Sequence, residues 1–183
     1  MMDNRPDLSS PIETPRLRLR CPRQEDATSI SEMMTPAVSR WLASWPVPFT
    51  AAMAAERITA ARQAVSAGTA LLFLIERRED GLPVGWIGVV RDRPADRSAT
   101  LGYWLGEAYQ RHGYMREAAP AAVAAAFSLL GLEAVEAAAQ PENAASFAVL
   151  RSCGMVPAGE CMVFASARQR EELCLRYEIK RPS

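Results

Sequence analysis

The spacing of apolar residues changes several times along the chain, and each change marks an element. From Arg16 to Cys21 the pattern alternates, with Leu17, Leu19 and Cys21 on one face and Arg16, Arg18 and Arg20 on the other. Strict alternation predicts a half-buried strand, because successive side chains point to opposite faces. Gln24 to Met34 reads as a helix, and Trp41 to Thr50 as an aromatic loop broken by Pro46 and Pro48. Thr50 then offers a capping oxygen for a helix to about Ala67, which Gly68 ends. Ala70–Arg77, Val84–Arg91 and Ser98–Gly106 read as three strands, the first two joined at Asp80-Gly81. A long Ala-rich helix runs to Leu130, with Val123, Phe127 and Leu130 on one face and Gly131 as its stop. Ala134–Ala139 is a short strand. Asn143 caps a helix that ends at Gly154, and Met155–Phe164 with Leu173–Lys180 closes the chain as a hairpin.

The predicted order is strand, two helices, three strands, helix, strand, helix, two strands. Without an internal repeat or a dividing linker, it implies a single α+β domain. Its central sheet is mixed, mostly antiparallel and of about seven strands, flanked by helices. Residues 1–11 are polar and expected as a flexible tail, with the domain over 12–183. Pro120 interrupts the Ala-rich pattern. It removes the N–H that would bond the Arg116 carbonyl and costs about 3 kcal/mol inside a helix. A kink is expected there, with the helix starting near Gly113 rather than at Pro120.

Composition narrows the functions. The 183 residues are 49% hydrophobic and 23% charged, which suits a folded domain with a real core. Twenty-one basic residues balance twenty-one acidic ones, which argues against a dedicated nucleic-acid binder and leaves a local basic patch open. Cys21, Cys153, Cys161 and Cys174 lack paired spacing and His112 is the only histidine, poor material for a metal site. The cysteines read as buried free thiols. The first residues lack an apolar signal core, and no run of about 18 apolar residues exists to span a membrane. The expected setting is cytoplasmic.

The stretch Leu101–Glu117, LGYWLGEAYQRHGYMRE, carries the chemistry. It reads as a strand, a polar turn centred on Gly113 and the first turn of a helix. Such a turn presents unpaired N–H groups, and the helix dipole adds partial positive charge, so it suits an anion. The glycine patterns of nucleotide-triphosphate loops and dinucleotide folds are absent.

Gln110-Arg111-His112-Gly113-Tyr114-Met115 resembles the Q/R-x-x-G-x-G/A loop of GNAT-superfamily N-acetyltransferases. Pro141-Glu142-Asn143-Ala144-Ala145-Ser146, followed by Val149-Leu150 and Cys153-Gly154-Met155, resembles a second segment of that superfamily. It is closest to the RimJ/RimL-like branch, the ribosomal-protein alanine N-acetyltransferases. Glu13-Thr14-Pro15-Arg16-Leu17-Arg18-Leu19-Arg20 resembles that branch's first strand. The Trp45–Thr50 loop and Gly102-Tyr103-Trp104-Leu105 also fit, so the resemblance covers about residues 12–180.

The resemblance implies acetyl-CoA as cosubstrate and an amine as acceptor. Main-chain groups at Trp104 and Leu105 would pair with the pantetheine arm. The loop from Gln110 through Met115 would hold the pyrophosphate on its N–H groups, with charge added by Arg111 and Arg116. Asn143 would cap its helix and reach the pantetheine, and Ser146 would lie near the thioester sulfur. His112 sits too near the phosphates to serve as a base.

In this superfamily the amine attacks the thioester directly. The N–H of Leu105 is the candidate oxyanion donor, and Ser146 the candidate hydrogen bond to a leaving thiol of pKa about 8.5. Two residues depart from the pattern: Leu150 stands where many relatives carry a tyrosine acid, and Met115 replaces a small residue, which would narrow the cradle. Tyr103, Glu107 and Glu76 are open as bases or as structural groups. Trp41, Trp45 and Phe49 form either an acceptor wall or core. The acceptor is open among protein N-termini, aminoglycosides, polyamines and amino-acid-like metabolites. A non-catalytic acyl-CoA-binding module and a partner-binding scaffold are the competing readings. A homodimer through sheet edges or the last hairpin is open, with no particular residue pointing to it.

Overall fold

The computed structural model describes residues 10–182, so most of the expected 1–11 tail and Ser183 lie outside the described residues. Among the described residues there are eight strands and five α-helices. The strands are β1 (Ile12–Glu13), β2 (Leu17–Arg20), β3 (Ala70–Arg77), β4 (Pro83–Val90), β5 (Ser98–Leu105), β6 (Ala134–Ala139), β7 (Val156–Ala165) and β8 (Arg170–Lys180). The helices are α1 (Ala27–Met33), α2 (Pro36–Ser39), α3 (Ala51–Ser66), α4 (Tyr114–Leu130) and α5 (Ala144–Ser152). One mixed sheet runs β1-β2-β3-β4-β5-β6-β8-β7. Every pairing is antiparallel except β5 with β6.

The eighth strand is β1, antiparallel to β2 through Ile12↔Leu19; two residues are too few to show a period. The short α2 opens on Pro36, a residue suited to a first helical position, and is also additional to the expected order. β8 begins at Arg170 rather than Leu173, because its polar start hides the alternation.

The sheet is covered on both faces, which explains the near-continuous apolar runs of β3 and β4. On one face α4 and α5 pack over Ile87, Val89, Leu101 and Tyr177. On the other, α1 and α3 pack over Leu74, Trp86 and Trp104. α4 can lie close to the sheet because its inward positions, Ala118, Ala119, Ala122 and Ala126, are small and fully buried. It runs as one helix through Pro120, between Gly113 at φ +77° and Gly131 at φ +65°. The alternative start at Pro120 is therefore excluded. Among the described residues no helix is long and apolar enough to cross a membrane.

Candidate active site

The loop between β5 and α4 turns on two left-handed residues, Arg111 (φ +65°) and Gly113 (φ +77°). The reversal opens α4 without a capping side chain. The first α4 amide with a carbonyl partner is that of Glu117, which donates to Gly113 O at 3.2 Å. Among the described residues no backbone carbonyl takes the N–H groups of Arg111 through Arg116. Six free amides at a helix N-terminus, beside the exposed side chains of Arg111 and Arg116, suit a diphosphate.

The loop is fastened from behind. Arg16 donates from Nη1 to His112 O (2.9 Å), and from its backbone N–H and Nε to the Glu117 carboxylate (both 2.7 Å). Thr14 Oγ1 donates to the same carboxylate at 2.6 Å. Burial alone would raise the Glu117 carboxyl, but these hydrogen bonds from Thr14 and Arg16 outweigh it and hold the group below the usual carboxylate range. The Arg16 guanidinium also lies 4.9 Å from the Tyr114 ring centre, which stacks on His112. His112 Nδ1 pairs with Gln110 O at 2.7 Å. Met115 is buried in the α4 core, so its side chain points away from the cradle and does not narrow it.

The same loop leaves β5 where the sheet opens. β5 pairs with β6 only over Ser98–Thr100, while Ala137–Ala139 of β6 pair with β8. Beyond Thr100 the two strands diverge and form a wedge. Gly106 N–H donates to Val84 O at 3.0 Å, which fixes the alternation of the β4–β5 ladder. Trp104 and Trp86 then form a hydrogen-bonded pair, whereas Leu105/Gly85 and Tyr103/Ile87 do not. The N–H groups of Tyr103 and Leu105 therefore point into the wedge. Trp104, expected beside Leu105 as a main-chain contact, turns its main chain to β4 and its ring into the second core. The alternation of a strand allows only one of two neighbours to face the opening. Gln110 Nε2 donates to Leu105 O at 3.1 Å and ties the loop to the end of the strand.

Across the wedge, Asn143 Oδ1 accepts from Ser146 N–H at 3.1 Å, so Asn143 is the cap of α5. The Ser146 hydroxyl is not used in that cap. It lies 2.8 Å from the Tyr103 hydroxyl, which reaches over from β5. Burial pushes the Tyr103 hydroxyl above the ordinary phenol value, so it stays protonated and is not a base. Leu150 is buried in the core and supplies no acid.

Glu76 and Glu107 are both engaged. Glu76 accepts from Arg20 Nε at 2.5 Å, and Arg20 also grips buried Asp26 at 2.7 and 2.9 Å. Glu107 accepts from Thr35 Oγ1. Trp45 and Phe49 are buried with ring centres 5.1 Å apart, and Trp45 abuts Trp86 and Trp104 at 5.6 and 5.1 Å. These two aromatics are core, while Trp41 is half-buried with Arg40 4.4 Å from its ring centre.

Residues 16–156 match the acetyltransferase (GNAT) domain family. The chain belongs to this acetyltransferase family. Solved GNAT folds align over nearly the whole chain. A Mycobacterium smegmatis RimJ in complex with CoA-disulfide aligns at 23% identity and TM-score 0.80, covering 93% of this chain and 86% of its own. A ribosomal-protein-S5-alanine acetyltransferase from Vibrio fischeri aligns at 21% identity and TM-score 0.80, covering 93% and 96%. RimL, a ribosomal L7/L12 alpha-N-protein acetyltransferase in complex with coenzyme A, aligns at 17% identity and TM-score 0.80, covering 93% and 98%. No curated protein sequence matches significantly.

The sequence showed no sign of three long-range features in and beside the candidate site: the Arg16–Glu117 lock, the Tyr103–Ser146 pair and a cluster around Glu172. All three join residues far apart in the chain. Glu172 accepts from Arg168 Nε and Nη2 (both 2.7 Å), Arg170 Nε (2.9 Å) and Gln140 Nε2 (2.7 Å). The Arg168 hydrogen bond chiefly holds its carboxyl down, against an opposing effect of burial and with help from Arg170 and Gln140, at about 2. A carboxyl lowered on folding stabilises the native state above its unfolded pKa, about 4.3, and loses that stabilisation as pH falls through its native value. The urea midpoint of the wild-type chain is therefore expected to fall more steeply between pH 5 and 2 than that of Glu172→Gln. Parallel slopes would contradict the assignment.

Proposed function

We propose that this chain is an N-acetyltransferase that moves the acetyl group of acetyl-CoA to a primary amine. The observation that carries this reading is the continuity of one loop: its uncapped amides at Arg111–Arg116 lead straight back to the wedge-facing N–H of Leu105. A diphosphate cradle and a slot for an extended arm are what a coenzyme A thioester needs.

Bound acetyl-CoA would supply an activated acyl carbonyl and a thiol leaving group. In this reading the amides of Arg111 through Met115 and the guanidinia of Arg111 and Arg116 hold the phosphates. The Leu105 N–H donates to the carbonyl oxygen as negative charge grows on it. Ser146 Oγ donates to the departing sulfur, oriented by the Tyr103 hydroxyl at 2.8 Å. Tyr103 takes part of the place that Leu150 leaves vacant. Asn143 sets the start of α5 and hence the position of Ser146. Fixing the amine against the carbonyl supplies much of the rate.

The similar folds named for ribosomal-protein acetylation direct the acceptor reading to protein N-terminal amines in the cytoplasm. The test is amine-dependent release of CoA, followed with a thiol reagent, using six-residue peptides beginning with Ser or Ala, with spermidine and kanamycin as small-molecule amines. Release with either peptide at a rate above the two small amines supports the reading. Binding of acetyl-CoA without release for any amine would favour a non-catalytic acyl-CoA-binding module.

A further inference from the structure

α4 and its phosphate loop lie on one face of the sheet, so an arm passing through the wedge emerges on the other. On that second face three stretches distant in sequence meet: the end of β6, the β7–β8 turn and the segment from Ser39 to Ala43. Glu172 stands at their junction, its side chain 11% exposed. Arg168 links it to the segment, donating from Nη1 to Ser39 O (3.2 Å) and Leu42 O (3.1 Å) while Nε and Nη2 hold the carboxylate. Gln140 Nε2, besides bonding Glu172, reaches Arg40 O at 3.4 Å. Ala167 N–H donates to Ala43 O at 2.8 Å, and Ser166 Oγ to the same oxygen at 3.3 Å. Four carbonyls of an irregular segment are thus satisfied from the hairpin turn and Gln140. Buried or half-buried backbone oxygens need such partners, and the planar fork of arginine is suited to serving carboxylate and carbonyls together.

The junction also reaches the chemistry. Gln140 is the residue after β6, and its carbonyl accepts from Asn143 N–H at 2.9 Å. Asn143 in turn accepts from Ser146 N–H. The chain of contacts runs from Glu172 through Gln140 and Asn143 to Ser146 without leaving hydrogen-bonded neighbours.

We propose that Glu172 is a positioning residue for the acceptor side of the site: through Arg168 and Gln140 it clamps the Ser39–Ala43 segment against the end of β6 and so fixes the wall that the incoming amine must pass. The proposal rests on the reading of the wedge as the acyl-CoA slot. It gives Glu172 no proton to carry, because Arg168, Arg170 and Gln140 occupy both carboxylate oxygens. The remaining titratable neighbour from the facing elements is the Cys174 thiol, whose burial raises it, with Cys161 opposite it on β7.

The experiment compares the full-length wild-type chain with Glu172→Gln and with Glu171→Gln, an exposed neighbour as control. Three quantities are read: acetyl-CoA affinity by calorimetry, kcat and KM for the Ser- and Ala-peptides, and amide hydrogen exchange of residues 39–43. For Glu172→Gln the expected result is a KM for peptide raised about 10-fold, about 1.4 kcal/mol of acceptor binding. kcat should stay within a factor of about 3, with an unchanged pH profile and acetyl-CoA affinity within a factor of about 2, since neither the Ser146 hydroxyl nor the phosphate loop is touched. Exchange at 39–43 should quicken at least 10-fold, in keeping with a loosened local structure. Glu171→Gln should match wild type. A kcat fallen about 100-fold at constant KM would put the effect of Glu172 on the chemical step rather than on the acceptor wall and overturn the proposal. Unchanged exchange at 39–43 would overturn it whatever the activity. Failure of the wild-type chain itself to bind acetyl-CoA would instead overturn the functional reading.

Discussion

Reversing Arg111 and Arg116 together, as Arg111→Glu/Arg116→Glu, is expected to remove nearly all stabilisation by acetyl-CoA. Both side chains are exposed and flank the uncapped amides of the α4 N-terminus. At about 100 times its Kd a ligand stabilises the native state by about 2.7 kcal/mol, which raises Tm by roughly 5–10 °C in a chain of this length. Charge-assisted hydrogen bonds contribute about 1.5–3 kcal/mol each, so losing two and adding repulsion should weaken binding at least about 100-fold. At the same ligand concentration only about 0.4 kcal/mol remains, a shift of roughly 1 °C. The ligand-free Tm should hold steady. The Arg116→Glu change falls in the first turn of α4, where the helix dipole favours negative charge, and Arg111 already holds φ +65° before its side chain changes. A retained upward shift, measured by calorimetric melting, would show that the phosphates lie elsewhere.

The second large effect is expected at Ser146. Ser146→Ala removes the hydroxyl without touching the cap, because Asn143 Oδ1 binds the Ser146 backbone N–H and not its side chain. Folding and acetyl-CoA affinity should be unchanged, while kcat falls about 100-fold. That magnitude is the lower end for losing one hydrogen-bond donor to charge that develops in the transition state, since a thiol is already a fair leaving group. Tyr103→Phe should lower kcat by about 10-fold, as Ser146 keeps its own proton and loses only its orientation. Steady-state kinetics with the best peptide acceptor reads both. Equal activity of Ser146→Ala and wild type would remove Ser146 from the chemistry.

Much of this arrangement was legible in the sequence because it depends on local rules. Gly113 and Gly131 bracket α4 as the glycine signals require, Asn143 caps α5, and the alternation of Leu17 and Leu19 with Arg16, Arg18 and Arg20 gives β2 its two faces. Features that depend on pairing across the chain stayed hidden. The wedge exists because β5 and β6 part after Thr100, and no strand announces in its own residues where its neighbour leaves it. Met115 looked like an obstruction because its position relative to the loop was readable, but its burial in the core beneath α4 was not. The aromatic loop offered two roles, and Trp45 and Phe49 took the packing one: Trp45 meets Trp86 and Trp104 edge-on, and Phe49 packs on Trp45. The Glu172 junction joins residues up to 129 positions apart, with Arg168 reaching back to Ser39.

The central claim is that the Arg111–Arg116 amides and the wedge-facing amides of β5 receive one extended ligand. Amide chemical shifts of the labelled 20.0 kDa chain, followed during titration with acetyl-CoA, test it most directly. The largest changes are expected at Arg111 through Arg116, at Tyr103 and Leu105, and at Ser146. Saturation with those resonances unmoved, or with the changes gathered on the β7 edge or around α3, would contradict the account.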